Sequence, residues 1–149
     1  MRFRTSGRSG ACRTPALLLL ALLTGGCSTS QIVVRGAMPL MDGGLTAMNR
    51  ETDLLLARDA IPATLKMLEG MSIEDPGNVQ LRVYLAQGFY GYAYSFVELD
   101  DPVRAVSLYT RCLEHGKAAL ASQGFAADPE SAPLTELDQA LDSAGARHV

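Results

Sequence analysis

The sequence predicts an all-α fold of antiparallel helical hairpins, and three observations carry that expectation. From Met38 to Ala126 the chain is rich in Leu, Ala, Met, Glu and Arg, residues that lose little rotamer freedom in a helix. Nowhere in that stretch do apolar and polar residues alternate as they would along a half-buried strand. Proline, glycine, aspartate and asparagine gather at short intervals between the apolar runs, as helix ends joined by tight turns require. Short connections make consecutive helices antiparallel neighbours, which leaves a bundle or a helical-repeat solenoid as the architecture.

The chain opens on an address. Arg2, Arg4, Arg8 and Arg13 precede the apolar run Pro15 to Leu23, and Thr24, Gly25 and Gly26 supply small residues ahead of Cys27. That order is the order of an export signal. A membrane span needs roughly 20 apolar residues, and this run is less than half as long. A cysteine directly after the small residues, followed by "STS", is similar to a bacterial lipobox, with Cys27 as the site of lipid attachment and the new N-terminus. Thr24 stands where such a motif usually has leucine, and Leu23 lies one residue earlier. A cleaved secretory signal, an uncleaved anchor and a cytosolic core helix are the competing readings. Residues 1–26 are thus expected to be a signal peptide and 27–37 a lipidated tether, with "QIVV" followed by "RGA" showing no sustained period.

Helices are expected at Gly44 to Leu56, Ala60 to Ser72, Val79 to Glu98, Val103 to Ser122 and, shorter, Leu134 to Ser143. The second places Pro62 in a first turn capped near Asp59. "EDPGN", Glu74 to Asn78, ends that helix with a proline and a glycine and offers Asn78 as the cap of the third. "LDDP" repeats the device, with Asp101 as cap and Pro102 at the first helical position, where its missing N–H is not needed.

Setting Phe89, Tyr92, Ala93 and Phe96 against Ala105, Tyr109 and Cys112 produces the large, large, small, large and small, large, small order of a tetratricopeptide (TPR) repeat. Ala93 and Ala105 are small enough to let two backbones approach, and Phe96 and Tyr109 fill the groove beside them. Ala60, Thr64 and Met67 look like the second helix of a preceding, degenerate repeat. Residues 38–149 are accordingly read as one TPR-like domain of α-solenoid type.

"VYLAQGFYGYAYSF" holds Tyr84, Phe89, Tyr90, Tyr92, Tyr94 and Phe96 of a total of 5 Tyr and 4 Phe. On a helix these residues surround the axis instead of forming one stripe, so the helix is buried or faces a second apolar surface. Gly88 and Gly91 each cost on the order of 1 kcal/mol relative to alanine, which points to a neighbouring helix or a ligand lying close against the backbone. Two readings stand side by side: a central core helix with tyrosine hydroxyls emerging at its edges, or a ligand cleft or subunit interface to which Tyr90 and Tyr94 contribute.

Charge and chemistry narrow the function. Four of the 13 basic residues lie in the leader, leaving 9 against 16 acidic ones and a net charge near −7 after cleavage. Nucleic acid, which needs a basic face, is not expected. Cys12 leaves with the leader, Cys27 takes lipid, and Cys112 then has no disulfide partner and reads as a small core residue. One cysteine with the distant His115 and His148 makes no zinc set, and Gly43 with Gly44 precede no phosphate-binding lysine. Acidic groups at Glu74 and Asp75 and at Glu98, Asp100 and Asp101 coincide with helix ends, where capping accounts for them. No catalytic constellation, metal site or cofactor is expected, so the domain binds or scaffolds.

Between Met38 and Phe125, and most specifically in "AQGFYGYAYSFVE" followed by "DP.RA..LY.R", the chain resembles the T component (TatT) of tripartite ATP-independent periplasmic (TRAP) transporter systems. The resemblance implies a periplasmic lipoprotein held at the cell membrane or outer membrane. It implies a homotrimer that docks the system's soluble substrate-binding P component, with helical grooves that could pass a ligand. It also implies that members run on for roughly as many residues again, so that 38–149 is the N-terminal part of a longer domain. A general TPR-type envelope scaffold, as in outer-membrane assembly, is the alternative. Ser28 after Cys27 is compatible with outer-membrane sorting.

Overall fold

The computed structural model describes residues 29–125 and 127–145. They form five helices: α1 (Thr29–Asn49), α2 (Leu54–Glu74), α3 (Val79–Phe96), α4 (Pro102–Ser122) and α5 (Leu134–Gly145). No strand occurs among the described residues, and the fold is all-α as expected. The signal peptide, Cys27 and His148 lie outside the described residues.

The entry to the domain differs from expectation. In place of a tether through Ala37 and a helix from Gly44, α1 is helical from Thr29 and carries Pro39, Gly43 and Gly44 in its interior. These helix breakers are overridden by packing: Val34 is buried, and Met38 and Met41 lie against the core. Arg35 also reaches Asp75, its Nε 2.8 Å from Oδ2. The break falls at residues 50–53, and α2 is capped by Asp53, not Asp59. The Asp53 carboxylate accepts from the N–H groups of Leu55 at 2.9 Å and Leu56 at 3.1 Å. Pro62 therefore sits inside α2 instead of in its first turn.

Downstream the caps fall where their residue types place them. Asn78 accepts from Leu81 N–H at 3.3 Å and opens α3. Asp101 accepts from Arg104 N–H at 3.0 Å and opens α4, with Pro102 as its first residue. The turn between α2 and α3 is built on Asp75, whose side chain is only 2% exposed. Its carboxylate accepts from Arg35 and from Asn78 Nδ2 at 3.2 Å. The Arg35 guanidinium holds the Asp75 carboxyl below its ordinary 3.8 against the opposing effect of burial, with Asn78 adding to the same side.

The core lies along α3. Leu81, Leu85, Phe89, Tyr92 and Ala93 are buried on it, Leu65 and Leu68 meet them from α2, and Ala105 from α4. Phe96, Leu108, Tyr109 and Cys112 close the α3–α4 seam, and Ile61, Met71 and Tyr84 pack at the other margin. After α4 the chain turns at Gly124, whose φ of 78° suits a residue without a side chain. Lys117 ties the following loop back through Asp128 at 2.8 Å and Glu130 at 2.7 Å. Among the described residues α5 packs closely against none of the other helices.

Candidate functional site

Two surfaces are shaped to receive something. One is a cleft of about 380 Å³ between α1, α2 and α3. Leu45 and Met48 of α1, Ile61, Leu65 and Leu68 of α2, and Tyr92 of α3 supply its apolar walls. At one rim the Tyr84 hydroxyl donates to the Asp42 carboxylate, which ties α1 to α3. That bond and the desolvation around it push the Tyr84 phenol above its ordinary 10.0. Such a volume with mostly apolar walls and a few polar groups is what small-molecule sites have.

The two glycines of α3 divide here. A Cβ on Gly88 would stand 2.5 Å from Leu65 Cδ2, so that glycine exists to let α2 come close. A Cβ on Gly91 would meet nothing within 4 Å, and Gly91 opens its backbone to the cleft. A helix against one glycine and open space against the other accommodate both alternatives that the sequence raised.

The second surface is formed by α3 and α4. Tyr90 and Tyr94, one turn apart, are 54% and 63% exposed. Their rings stack at 5.9 Å with 9° between planes. Tyr109 of α4 meets Tyr90 at 6.1 Å, tilted by 45°. Its hydroxyl donates to Glu98, and this bond, with desolvation, the Glu98 charge and the neighbouring Tyr90 and Tyr94 phenols, raises the Tyr109 phenol to about 12. On α4 the exposed Val106 and Leu113 lie one turn to either side of Tyr109 and extend the apolar area. Preordered tyrosines, apolar in body and polar at the tip, are what a partner-binding face needs.

The residues expected at the repeat crossing come together in the α3–α4 hairpin. Phe89, Tyr92, Ala93 and Ala105 are buried there, while Phe96, Tyr109 and Cys112 are partly buried beside them. Burial, eased by the Tyr90 backbone, raises the Cys112 thiol above its ordinary 9.0. Asp42, Thr46 and Gln87, which line the cleft, were not singled out by the sequence, and Thr64, read there only as a repeat-packing position, lines it too. Their signal was weak because the cleft depends on α1, whose breakers hide it.

Among the described residues no group of three His, Cys, Asp or Glu is placed to hold a metal ion. Among the same residues no helix is long and apolar enough to cross a membrane. What the two surfaces offer is shape, aromatic area and hydrogen bonds, which suit recognition.

Comparison with curated proteins found no match, and comparison with solved structures found none. The family model described as TRAP transporter T-component matches residues 50–149. That span takes in α2 to α5 with both glycines and the whole tyrosine face, and the chain accordingly belongs to the TRAP transporter T-component family, an accessory component of TRAP transport systems.

Proposed function

We propose that this protein is a periplasmic accessory of a TRAP-type solute uptake system, anchored by lipid on Cys27, that docks the system's soluble substrate-binding component through its tyrosine face. Membership of the T-component family supports the transport context. The observation that carries the docking surface is the stack of Tyr90 on Tyr94, backed by Tyr109 and left open to solvent. Aromatic side chains fixed before binding lose little entropy when a partner covers them, so they return more affinity per contact than flexible ones. The cleft between α1 and α3 is the place where a ligand could accompany the partner, and Gly91 marks its floor.

Two measurements test this reading. The chain and the substrate-binding component of the same system should co-purify and give a saturable binding isotherm. Failure to form a complex at tens of micromolar would remove the docking role. Membrane fractionation tests the anchor: Cys27→Ser should release the protein from membranes, and retention would show that Cys27 does not hold it there.

A further inference from the structure

Helix α1 is apolar on two sides, and the protein covers one of them. Val34 is buried, Met38 and Met41 lie against the core, and Leu45 and Met48 line the cleft. On the other side Ile32, Val33 and Leu40 are 63%, 70% and 72% exposed. With about 3.6 residues per turn, Ile32, Gly36, Leu40, Gly43 and Ala47 fall along one line of the helix, with Val33 beside it. All of these residues are exposed. A Cβ on Gly36 or Gly43 would meet nothing within 4 Å, so the described protein leaves the backbone bare at those points. No charge interrupts the line. Arg35 and Asp42 are the charged residues of α1, and both are engaged with the body, Arg35 with Asp75 and Asp42 with the Tyr84 hydroxyl. A helix apolar on both sides needs a second surface against it.

The start of α1 indicates what that surface is. Ser28 alone separates Cys27 from Thr29, and two residues of chain reach no further than about 7 Å. Acyl chains on Cys27 would therefore hold the first turn of α1 at the headgroups. The 21 residues of α1 make a rod about 32 Å long. Standing upright on the membrane, the rod would carry Leu40 about 17 Å above Thr29 and leave its apolar line in water. Lying along the membrane, it brings Ile32, Val33 and Leu40 to the interface together.

We propose that α1 lies flat on the bilayer surface, with Ile32, Val33 and Leu40 immersed among the headgroups and upper acyl chains, so that the protein is held in one orientation by its first helix as well as tethered by its lipid. This proposal rests on the lipid anchor read at Cys27. The acyl chains keep α1 at the surface, so a few partly immersed side chains suffice to set its orientation. Charge favours the same face. A chain with an acidic balance meets anionic headgroups most readily through a surface without carboxylates, and the line from Ile32 to Ala47 is such a surface.

The experiment is site-directed spin labelling of the acylated protein in phosphatidylcholine vesicles, in a Cys112→Ser background, with labels at Val33→Cys, Leu40→Cys and, on α4, Thr110→Cys. Oxygen concentrates in the bilayer and a nickel chelate stays in water, so the ratio of their collision rates with a label reports its depth. Labels at positions 33 and 40 should favour oxygen several-fold more than the label at 110. Leu40→Asp, which alters an exposed side chain, should return the label at 33 toward water while the acyl chains keep the protein on the vesicles. Mass spectrometry of the same protein reads the anchor separately: an unacylated Cys27 would overturn the anchor and the proposal together. With Cys27 acylated, a label at 40 as accessible to nickel as the label at 110 would overturn the proposal alone. Dipolar broadening at 40 that disappears on dilution with unlabelled protein would place a second copy on this face instead, and shelter that appears only when the substrate-binding component is added would place that protein there.

Discussion

At the scale of single residues the two glycines of α3 give opposite expectations. At Gly91 an added methyl enters open space, so Gly91→Ala should stabilise by about 0.5–1 kcal/mol through helix propensity alone. At Gly88 the same methyl meets the buried Leu65 side chain, and displacing it costs about 1–3 kcal/mol, more than propensity returns. Gly88→Ala should therefore lower the urea midpoint while Gly91→Ala raises it, and equal effects would mean that α2 does not press on α3 at this point. His115 sets a dependence on pH. Burial and then Arg82 hold its folded-state value below the ordinary 6.5, so between that value and 6.5 the unfolded chain binds a proton that the folded chain refuses, and stability rises with pH across the window. Its contribution should be complete above 6.5 and lost as the pH falls toward the folded value. Urea midpoints at pH 7.5 and 5.5 should differ less in His115→Gln than in the parent, and an unchanged difference would show that this imidazole titrates normally.

At the scale of elements, what could be read from sequence depended on whether a helix end is signalled locally. Asn78 and Asp101 combine a cap with a neighbouring proline or glycine, and α3 and α4 begin at the residues that follow them. Asp59 before Pro62 offers the same signature, yet the helix runs through it, because Asp53 already satisfies the first N–H groups and Ala57 is buried within the turn that would have been the gap. The helical character of α1 could not be read locally at all. Pro39, Gly43 and Gly44 argue against it, and the forces in its favour come from residues far along the chain, the Arg35 pairing with Asp75 and the Tyr84 bond to Asp42. For the same reason the cleft was hidden, while Tyr90 and Tyr94 could be picked out from the periodicity of one helix. Two substitutions separate these local and distant forces. Asp53→Ala removes a cap and should cost about 1 kcal/mol. Asp75→Ala removes the acceptor of charged hydrogen bonds at a buried turn and should cost about 2 kcal/mol. It should also free α1, seen as faster hydrogen exchange from residue 29 to residue 49, whereas equal exchange in the variant and the parent would mean that Arg35 does not hold α1 in place.

For the whole molecule the governing fact is that a helical repeat buries its apolar faces only against neighbours. In the α3–α4 hairpin the inner face is spent on the core, with Phe89, Ala93 and Ala105 buried, and the outer face leaves Tyr90, Tyr94, Val106 and Leu113 in solvent. The exposed aromatics should be met by a partner whose charge does not oppose the acidic balance of the chain. Neither tyrosine closes the core: Tyr90 contacts Tyr94 and Tyr109, and Phe89 and Tyr92 do the packing from the same helix. The double variant Tyr90→Ala with Tyr94→Ala should consequently keep its helical circular dichroism and lose no more than about 1 kcal/mol of stability, the worth of the ring contacts it gives up. Affinity for the substrate-binding component should fall far more. Central aromatic anchors are each worth about 2 kcal/mol or more when truncated, and a loss of that size from even one ring weakens binding by about 30-fold. Titration calorimetry on parent and variant decides it. Unchanged affinity in a folded double variant would move the docking surface off the α3–α4 tyrosines, leaving the α1–α3 cleft as the next place to look.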